Sequence, residues 1–303
     1  MNTIAGLILA AALAAPTSPE PDVPPLGQPA MVGMMHSAAI AEVSGLAASR
    51  RHERLLWAVN DSDHPAALEA LDRHGKHLHS VDVTGARNVD WEDLVAYSAH
   101  GKPMLLIADI GDNGGLRSAL TLYLVEEPEL SARQVSLAGR IDVRFDDGPH
   151  DVEALFVDER ESMVYLISKR QIPPVLYAVP LKARAKPVRA RNLGSFASIP
   201  RASHTELQTM PRFARYFGQA TSAVADPAGR FVAVLTYRDA YLFRRAQGQQ
   251  WIDALRATPA AFGLPFMPQA EAMTFAADTR EFLITTENLP APILSVQLPD
   301  ASP

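Results

Sequence analysis

Acidic and hydroxyl residues recur in this chain two positions apart, as Glu42/Ser44, Asp90/Glu92 and Asp151/Glu153, with Glu271 in a matching phrase near the end. On an extended strand, residues i and i+2 project to the same side. Asp90 therefore faces with Glu92, and Asp151 with Glu153. A second polar set closes a series of apolar runs: Asn60, Asp109, Lys169, Tyr237 and Glu287. Asp61, Asp93, Asp112 and Asn113 stand next to these positions, with Arg170 and Arg238 on the basic side. Carboxylates that converge either raise one another's pKa or recruit a cation. An all-oxygen donor set suits a hard ion, calcium above magnesium, because calcium takes six to eight oxygens in flexible geometry. The expected metal ligands are Glu42, Asn60, Asp90, Glu92, Asp109, Asp112, Asp151 and Glu153. Lys169, Arg170 and Arg238 would stabilise negative charge on a substrate, and Glu271 or Glu287 would orient a water. Taken singly, each carboxylate is more often a turn or strand-start cap than a ligand, and it is the cluster that points to a site.

These residues belong to a repeat. The first phrase reads Glu42-Val-Ser-Gly-Leu46, Asp90-Trp-Glu-Asp-Leu94, Asp151-Val-Glu-Ala-Leu155, Ala220-Thr-Ser-Ala-Val224 and Gln269-Ala-Glu-Ala-Met273. It recurs at intervals of roughly fifty to seventy residues, a period that points to a propeller blade. Taking the second polar residue of each phrase aligns Ser44, Glu92, Glu153, Ser222 and Glu271. An apolar strand follows each one: Leu56–Asn60, Leu105–Asp109, Tyr165–Lys169, Val232–Tyr237 and Phe282–Glu287. A third alternating strand comes next, and turn residues such as Asp72-Arg-His-Gly75 and Asp226-Pro-Ala-Gly229 punctuate the pattern. Candidate fourth strands are Leu78–Val83, Arg140–Phe145 and Arg191–Phe196.

The reading is an all-β protein, a β-propeller of about five blades, with six as second choice. The segment Ala30–Ser37 would supply the strand missing from the last blade and close the ring. Residues 29–299 then form one propeller domain; a β-sandwich or two smaller β domains is the alternative. The stretch Ala197–Phe217 breaks the rhythm as a loop or short helix. In a blade, the start of the first strand and the end of the second share one face, so both polar columns meet at one mouth.

Composition narrows the chemistry. Across 303 residues Lys+Arg total 28 and Asp+Glu 34, so no basic field invites nucleic acid. Cysteine is absent, which excludes disulfides, thiolate ligands and cysteine nucleophiles. Residues 1–15 carry the apolar run Ile4–Ala15, read as a signal peptide with no Lys or Arg before it, and residues 16–28 as a Pro-rich linker. A retained anchor is the alternative. The expected location is periplasmic or secreted, with no membrane span once the signal is removed.

Several other patterns lead nowhere. Gly111-Asp-Asn-Gly-Gly115 is neither a P-loop nor a dinucleotide fingerprint, and no Gly-x-Ser-x-Gly elbow occurs. Ser168 and Lys169 are strand neighbours that point apart. His74, His77 and His79 lack a zinc spacing. His150 stands beside the mouth, where a turn role is expected. Trp91 should point into blade packing.

The phrases Glu42–Leu46, Asn60-Asp-Ser62, Ala86–Asp93, Asp109-Ile-Gly-Asp-Asn113, Asp151–Leu155, Ser168-Lys-Arg170 and Ala270-Glu-Ala-Met273 resemble a bacterial group of exported phytase-like or esterase-like β-propellers. The match runs from about residue 42 to about 298. The resemblance implies a propeller, calcium at an acidic mouth, and hydrolysis of a phosphoester, with Lys169, Arg170 and Arg238 as the basic set. The fourth repeat departs from the pattern, because Ala220–Val224 has no acid.

Three functions stand at this point. The first is a calcium-dependent hydrolase of a small, phosphorylated substrate. The second is a non-catalytic propeller that binds a peptide, glycan or envelope partner, with calcium structural. The third is a lactonase or other ester hydrolase. Monomer is the starting assumption.

Overall fold

The computed structural model describes residues 26–265, 267–276 and 280–298. The apolar N-terminal run, and with it the signal-peptide reading, lies outside the described residues. So does most of the expected linker.

Among the described residues there are twenty-one strands, and twenty of them form five four-stranded blades around an axis, the short β13 (Val188–Arg189) pairing outside this set with β9 (Gln134–Arg144). Strand β1 (Ala30–Met35) leads the described chain. Blade 1 holds β2 (Val43–Ala48), β3 (Leu55–Asn60), β4 (Ala67–Asp72) and β5 (His77–Thr84). Blade 2 holds β6 (Trp91–Ala99), β7 (Lys102–Asp109), β8 (Leu120–Glu126) and β9 (Gln134–Arg144). Blade 3 holds β10 (Val152–Asp158), β11 (Met163–Ser168), β12 (Val175–Pro180) and β14 (Arg191–Ser195), preceded by the two-residue β13 (Val188–Arg189). Blade 4 holds β15 (Ala220–Ala225), β16 (Phe231–Thr236), β17 (Asp239–Arg244) and β18 (Ala260–Gly263). Blade 5 holds β19 (Ala270–Phe275), β20 (Glu281–Thr286) and β21 (Ala291–Gln297), and its fourth strand is β1. The count is five, and the closing strand is the one expected. Beta1 pairs antiparallel with β21, from Ala30 opposite Ser295 to Met35 opposite Ala291.

Strands β2, β6, β10, β15 and β19 line the axis and touch one another in that cyclic order. Each is buried along nearly its whole length because the axis covers one face and the flanking blades cover the other. Five apolar clusters fill the five gaps between blades. Trp57, Leu68 and Leu105 pack between blades 1 and 2, and Leu106, Leu155 and Tyr177 between 2 and 3. Phe156, Val234 and Trp251 fill the next gap, Leu235, Phe262 and Phe282 the one after, and Met35, Leu46 and Ile293 the last. Closure by β1 completes the final gap, so removing that strand would expose a core face rather than an edge.

The break in the sequence rhythm is a helical flap. Helix α1 (His204–Thr209) starts at Ser203, whose hydroxyl accepts from the Glu206 N–H at 3.2 Å while the Glu206 carboxylate takes the Ser203 N–H at 2.7 Å, a reciprocal capping box. Pro211 opens the short helix α2 (Pro211–Ala214). A third helix, α3 (Trp251–Arg256), packs Trp251 and Leu255 into the gap between blades 3 and 4. Neither α3 nor β18 is foreseen from the repeat, because blade 4 spends about fifteen residues between its third and fourth strands.

Candidate functional site: an acidic mouth beside a cationic cleft

Each inner strand carries a bulge at the same point. The register skips Ser44, Glu92, Glu153, Thr221 and Glu271 in turn. A bulge inserts one residue and re-aims its side chain. This corrects the fourth repeat, where Thr221 rather than Ser222 holds the equivalent position and Gln219 the leading acidic one. The short hydroxyls staple the ring: Ser44 Oγ donates to the Trp91 carbonyl at 2.6 Å, and Thr221 Oγ1 to the Ala270 carbonyl at 2.7 Å. The three glutamates are long enough to reach the mouth.

The second column needs the same correction. Backbone bonds run from Asp61 N–H to the Glu42 carbonyl, Ile110 to Asp90, Lys169 to Asp151 and Glu287 to Gln269. The column is therefore Asp61, Ile110, Lys169 and Glu287, with Tyr237 in blade 4. Asn60 and Asp109 stand one residue earlier, and one residue along a strand reverses the side chain. Asn60 accordingly bonds backbone, taking the Glu42 N–H at 3.2 Å and donating to the Ala39 carbonyl at 2.9 Å. Asp109 pairs with Arg117 at 2.7 Å and accepts the Asp90 N–H at 3.2 Å.

Among the described residues, Asp61, Asp90 and Glu92 bring carboxylate oxygens within 4.8 Å of one another, a spacing that could hold one metal ion. Gly111 makes this possible. A Cβ there would lie 2.2 Å from a Glu92 oxygen and 2.4 Å from an Asp90 oxygen, so only glycine leaves room for both. Of the eight expected ligands, Asp90 and Glu92 lie in this cluster. Asp112 caps its own turn, accepting from Leu116 N–H at 2.8 Å and Arg117 N–H at 3.0 Å. Asp151 accepts the Asp112 N–H at 3.0 Å and pairs with Arg170. Glu42 lies at the rim, 3.5 Å from His64. Glu153 pairs with Lys169.

The electrostatics follow from this crowding. Burial first, then the carboxyl of Asp61 and the charge of Asp151, push Asp90 up to about 7 against the pull of Arg117. Glu92 is pushed well above the usual carboxylate range by burial and by Glu153, Asp61 and Asp90. Burial carries Glu153 to about 7 although Lys169 opposes it. Glu287 also rises to about 7, through burial and the charges of Asp61 and Glu42. Glu271 is raised by burial and by Glu287 and Glu153, while the Tyr237 hydroxyl donates to it at 3.1 Å. Burial works against the charge on Lys169, but Glu153, Glu92 and Glu271 more than offset it and its pKa ends above the usual value.

Asp93, next to Glu92 in sequence, behaves differently. It is fully buried on the axis and ties three blades together. It accepts from Leu94 N–H at 2.9 Å, Leu155 N–H at 3.1 Å, Ser222 Oγ at 3.2 Å and Ala223 N–H at 3.3 Å. Burial raises its pKa well above the usual range, and these hydrogen bonds oppose that rise. Beside it, Gly45 lets β2 approach β6 so closely that a Cβ would meet the Leu94 nitrogen at 2.6 Å.

Next to the acidic floor a cleft of about 750 Å³ opens under the flap. Lys169, Arg170, Tyr237 and Gln269 line it, and each also pairs with a floor residue. The flap lines it with Met210, Arg212, Phe213, Tyr216 and Phe217, and blade 4 adds Leu264. Arg238 holds the flap in place, donating to Glu206 at 2.8 Å and to Asp239 at 2.6 Å, and lying 5.3 Å from the Phe217 ring centre. His150 lies apart from the floor, bonded to Asp147 at 2.8 Å and to the Tyr177 hydroxyl at 3.0 Å. Trp91 is buried and donates its indole N–H to the Arg87 carbonyl at 3.0 Å.

Comparison with known proteins gives distant likenesses. No protein-family model and no curated protein matches the chain. Among solved structures, the chain is similar to the RRP9 WD40 repeats at 14% identity, covering 85% of this chain and 67% of that one, with a TM-score of 0.42. It is similar to U3-55K at 12% identity, covering 84% and 68%, with a TM-score of 0.37. The blade topology described above carries the assignment as a β-propeller.

Proposed function

We propose that this propeller binds a divalent cation, calcium by preference, at Asp61, Asp90 and Glu92, and hydrolyses a phosphoester held in the adjoining cleft. The observation that carries the reading is the three-carboxylate cluster over Gly111, an oxygen-only set in a crowded site where a cation would relieve the repulsion. Calcium, when bound, supplies charge neutralisation for phosphoryl oxygens. The chain's own residues do the rest. Lys169 and Arg170 face the cleft and stabilise negative charge on the phosphoryl group. Glu287, with its pKa pushed up to about 7, is matched to accept a proton from an attacking water near neutrality. Arg238, engaged by Glu206 and Asp239, positions the flap rather than the phosphate. The resemblance to phytase-like propellers supports the same reading, and the N-terminal apolar run supports export to the periplasm or medium.

The test is a thermal melt with calcium and with chelator, followed by a phosphoester panel. A calcium-dependent rise lost in Asp90→Asn, with turnover lost in Arg170→Ala, is the expected result. Protein whose melting ignores calcium, magnesium and manganese would sink the metal half. Protein that binds calcium but turns over no ester would leave a binding platform. That second reading is favoured by one observation, the exposed Met210, Phe213 and Tyr216 on the flap.

A further inference from the structure

The cleft is more apolar than a phosphate site requires. Its flap wall presents Met210, Phe213 and Tyr216, exposed by 38%, 45% and 40%, and Leu264 lines the same cleft from blade 4. Large apolar side chains around an open cleft are costly in water and are stabilised when an apolar ligand covers them. The cations tell the complementary half. Lys169, Arg170 and Arg238 each already answer a carboxylate, at Glu153, Asp151, and Glu206 with Asp239. Among the described residues that line the cleft, Arg212 is the remaining cation. That surplus suits one phosphoryl group and falls short of a heavily phosphorylated ring. The volume is in the range of a site that encloses a small organic ligand. The capping box and the Arg238–Glu206 pair fix the flap in place before a ligand arrives.

We infer that the ligand is the phosphomonoester of an apolar alcohol, with its phosphoryl head at Arg212, beside Lys169 and Arg170, and its alkyl or aryl body along Met210, Phe213 and Leu264. The inference rests on the anion-binding half of the reading above and narrows its substrate class.

The experiment is titration calorimetry on the mature protein in chelator, so that binding is read without turnover. The probes are inorganic phosphate, methyl phosphate, octyl phosphate and inositol hexakisphosphate. Octyl phosphate should bind roughly tenfold or more tightly than inorganic phosphate, with methyl phosphate between them. The double variant Met210→Ser/Phe213→Ser should close that gap and leave inorganic phosphate binding as it was. Both flap positions are exposed, so the fold should persist, and an unchanged melting temperature checks this. Equal affinity across the monophosphates, tightest binding of the hexakisphosphate, or a gap that survives the double variant would each overturn the inference. The hydrolase reading fails separately: an octyl preference with no calcium-dependent turnover removes catalysis and keeps the cleft's specificity, whereas turnover without an octyl preference does the reverse.

Discussion

The two ends of this propeller bury carboxylates in opposite ways. At the end away from the mouth, Asp158 accepts from the Trp251 indole at 2.8 Å, Arg245 at 2.9 Å, and the Arg160 and Glu161 N–H groups at 3.0 Å. Glu127 there takes the Trp57 indole at 2.9 Å, the Arg50 N–H at 3.0 Å and the Ser49 hydroxyl. Each of these acids is surrounded by donors. At the mouth, Asp90, Glu92, Glu153, Glu271 and Glu287 face one another, and burial with mutual repulsion raises all five. Burial alone therefore does not make a functional site. What separates the ends is whether the neighbours are donors or further acids.

The contrast can be broken most forcefully at the lower end. Asp158→Ala takes the acceptor from the buried Trp251 N–H and from the Arg160 and Glu161 N–H groups, and leaves Arg245 with Glu161 as its remaining carboxylate, and should cost about 3 kcal/mol or more in chemical denaturation. An Asp158→Ala protein as stable as the parent would remove the distinction.

Calcium gives the next largest effect. At a free concentration one hundred times its Kd, a ligand that binds only the native state adds about 2.7 kcal/mol, which a thermal melt reads as several degrees. Asp90→Asn should abolish the shift, and Asp158→Asn should keep it.

The pH dependence sharpens the comparison further. Asp90 rises from 3.8, and Glu153 and Glu287 from 4.5, to about 7. The folded chain then holds more protons than the unfolded one between about pH 4 and 7, so these groups make stability fall as pH rises through that window. Chelated protein should melt higher at pH 5 than at pH 8. Calcium should flatten the profile by restoring stability at the alkaline end, since its affinity needs the deprotonated carboxylates. A melting temperature that climbs from pH 5 to pH 8 in chelator would contradict the mouth's electrostatics.

The smallest effect carries the most telling sign. Glu92→Gln removes one ionisable carboxyl from the crowd, and with it the cost of burying that group, and should stabilise the metal-free protein by about 1 kcal/mol while weakening calcium binding. The opposite sign from Asp158→Ala is the point of the pair.

The fold was legible in the sequence because blades repeat. An acid pair, an apolar run and an alternating strand recurring in the same order allow few architectures, and the closing strand at Ala30–Met35 followed from one blade lacking a partner. Local composition also located Asp90, Glu92, Glu153, Lys169 and Arg170 on the mouth side, since strand starts and ends are marked by polar residues. Tertiary structure decided what one-residue shifts do. The bulges moved Thr221 into the place assigned to Ser222, and the backbone register put Asp61 rather than Asn60 beside Asp90. A strand reverses its side chain at every residue, so an alignment correct to within one position still cannot say which of two neighbours faces the site. The adjacent acids Glu92 and Asp93 show the same limit: one reaches the crowded mouth, and the other turns onto the axis to hold three blades with four hydrogen bonds. The flap and its apolar wall were likewise invisible in the repeat, because their meaning comes from folding over a cleft that Lys169 and Leu264, each about forty or more residues away in the chain, also line.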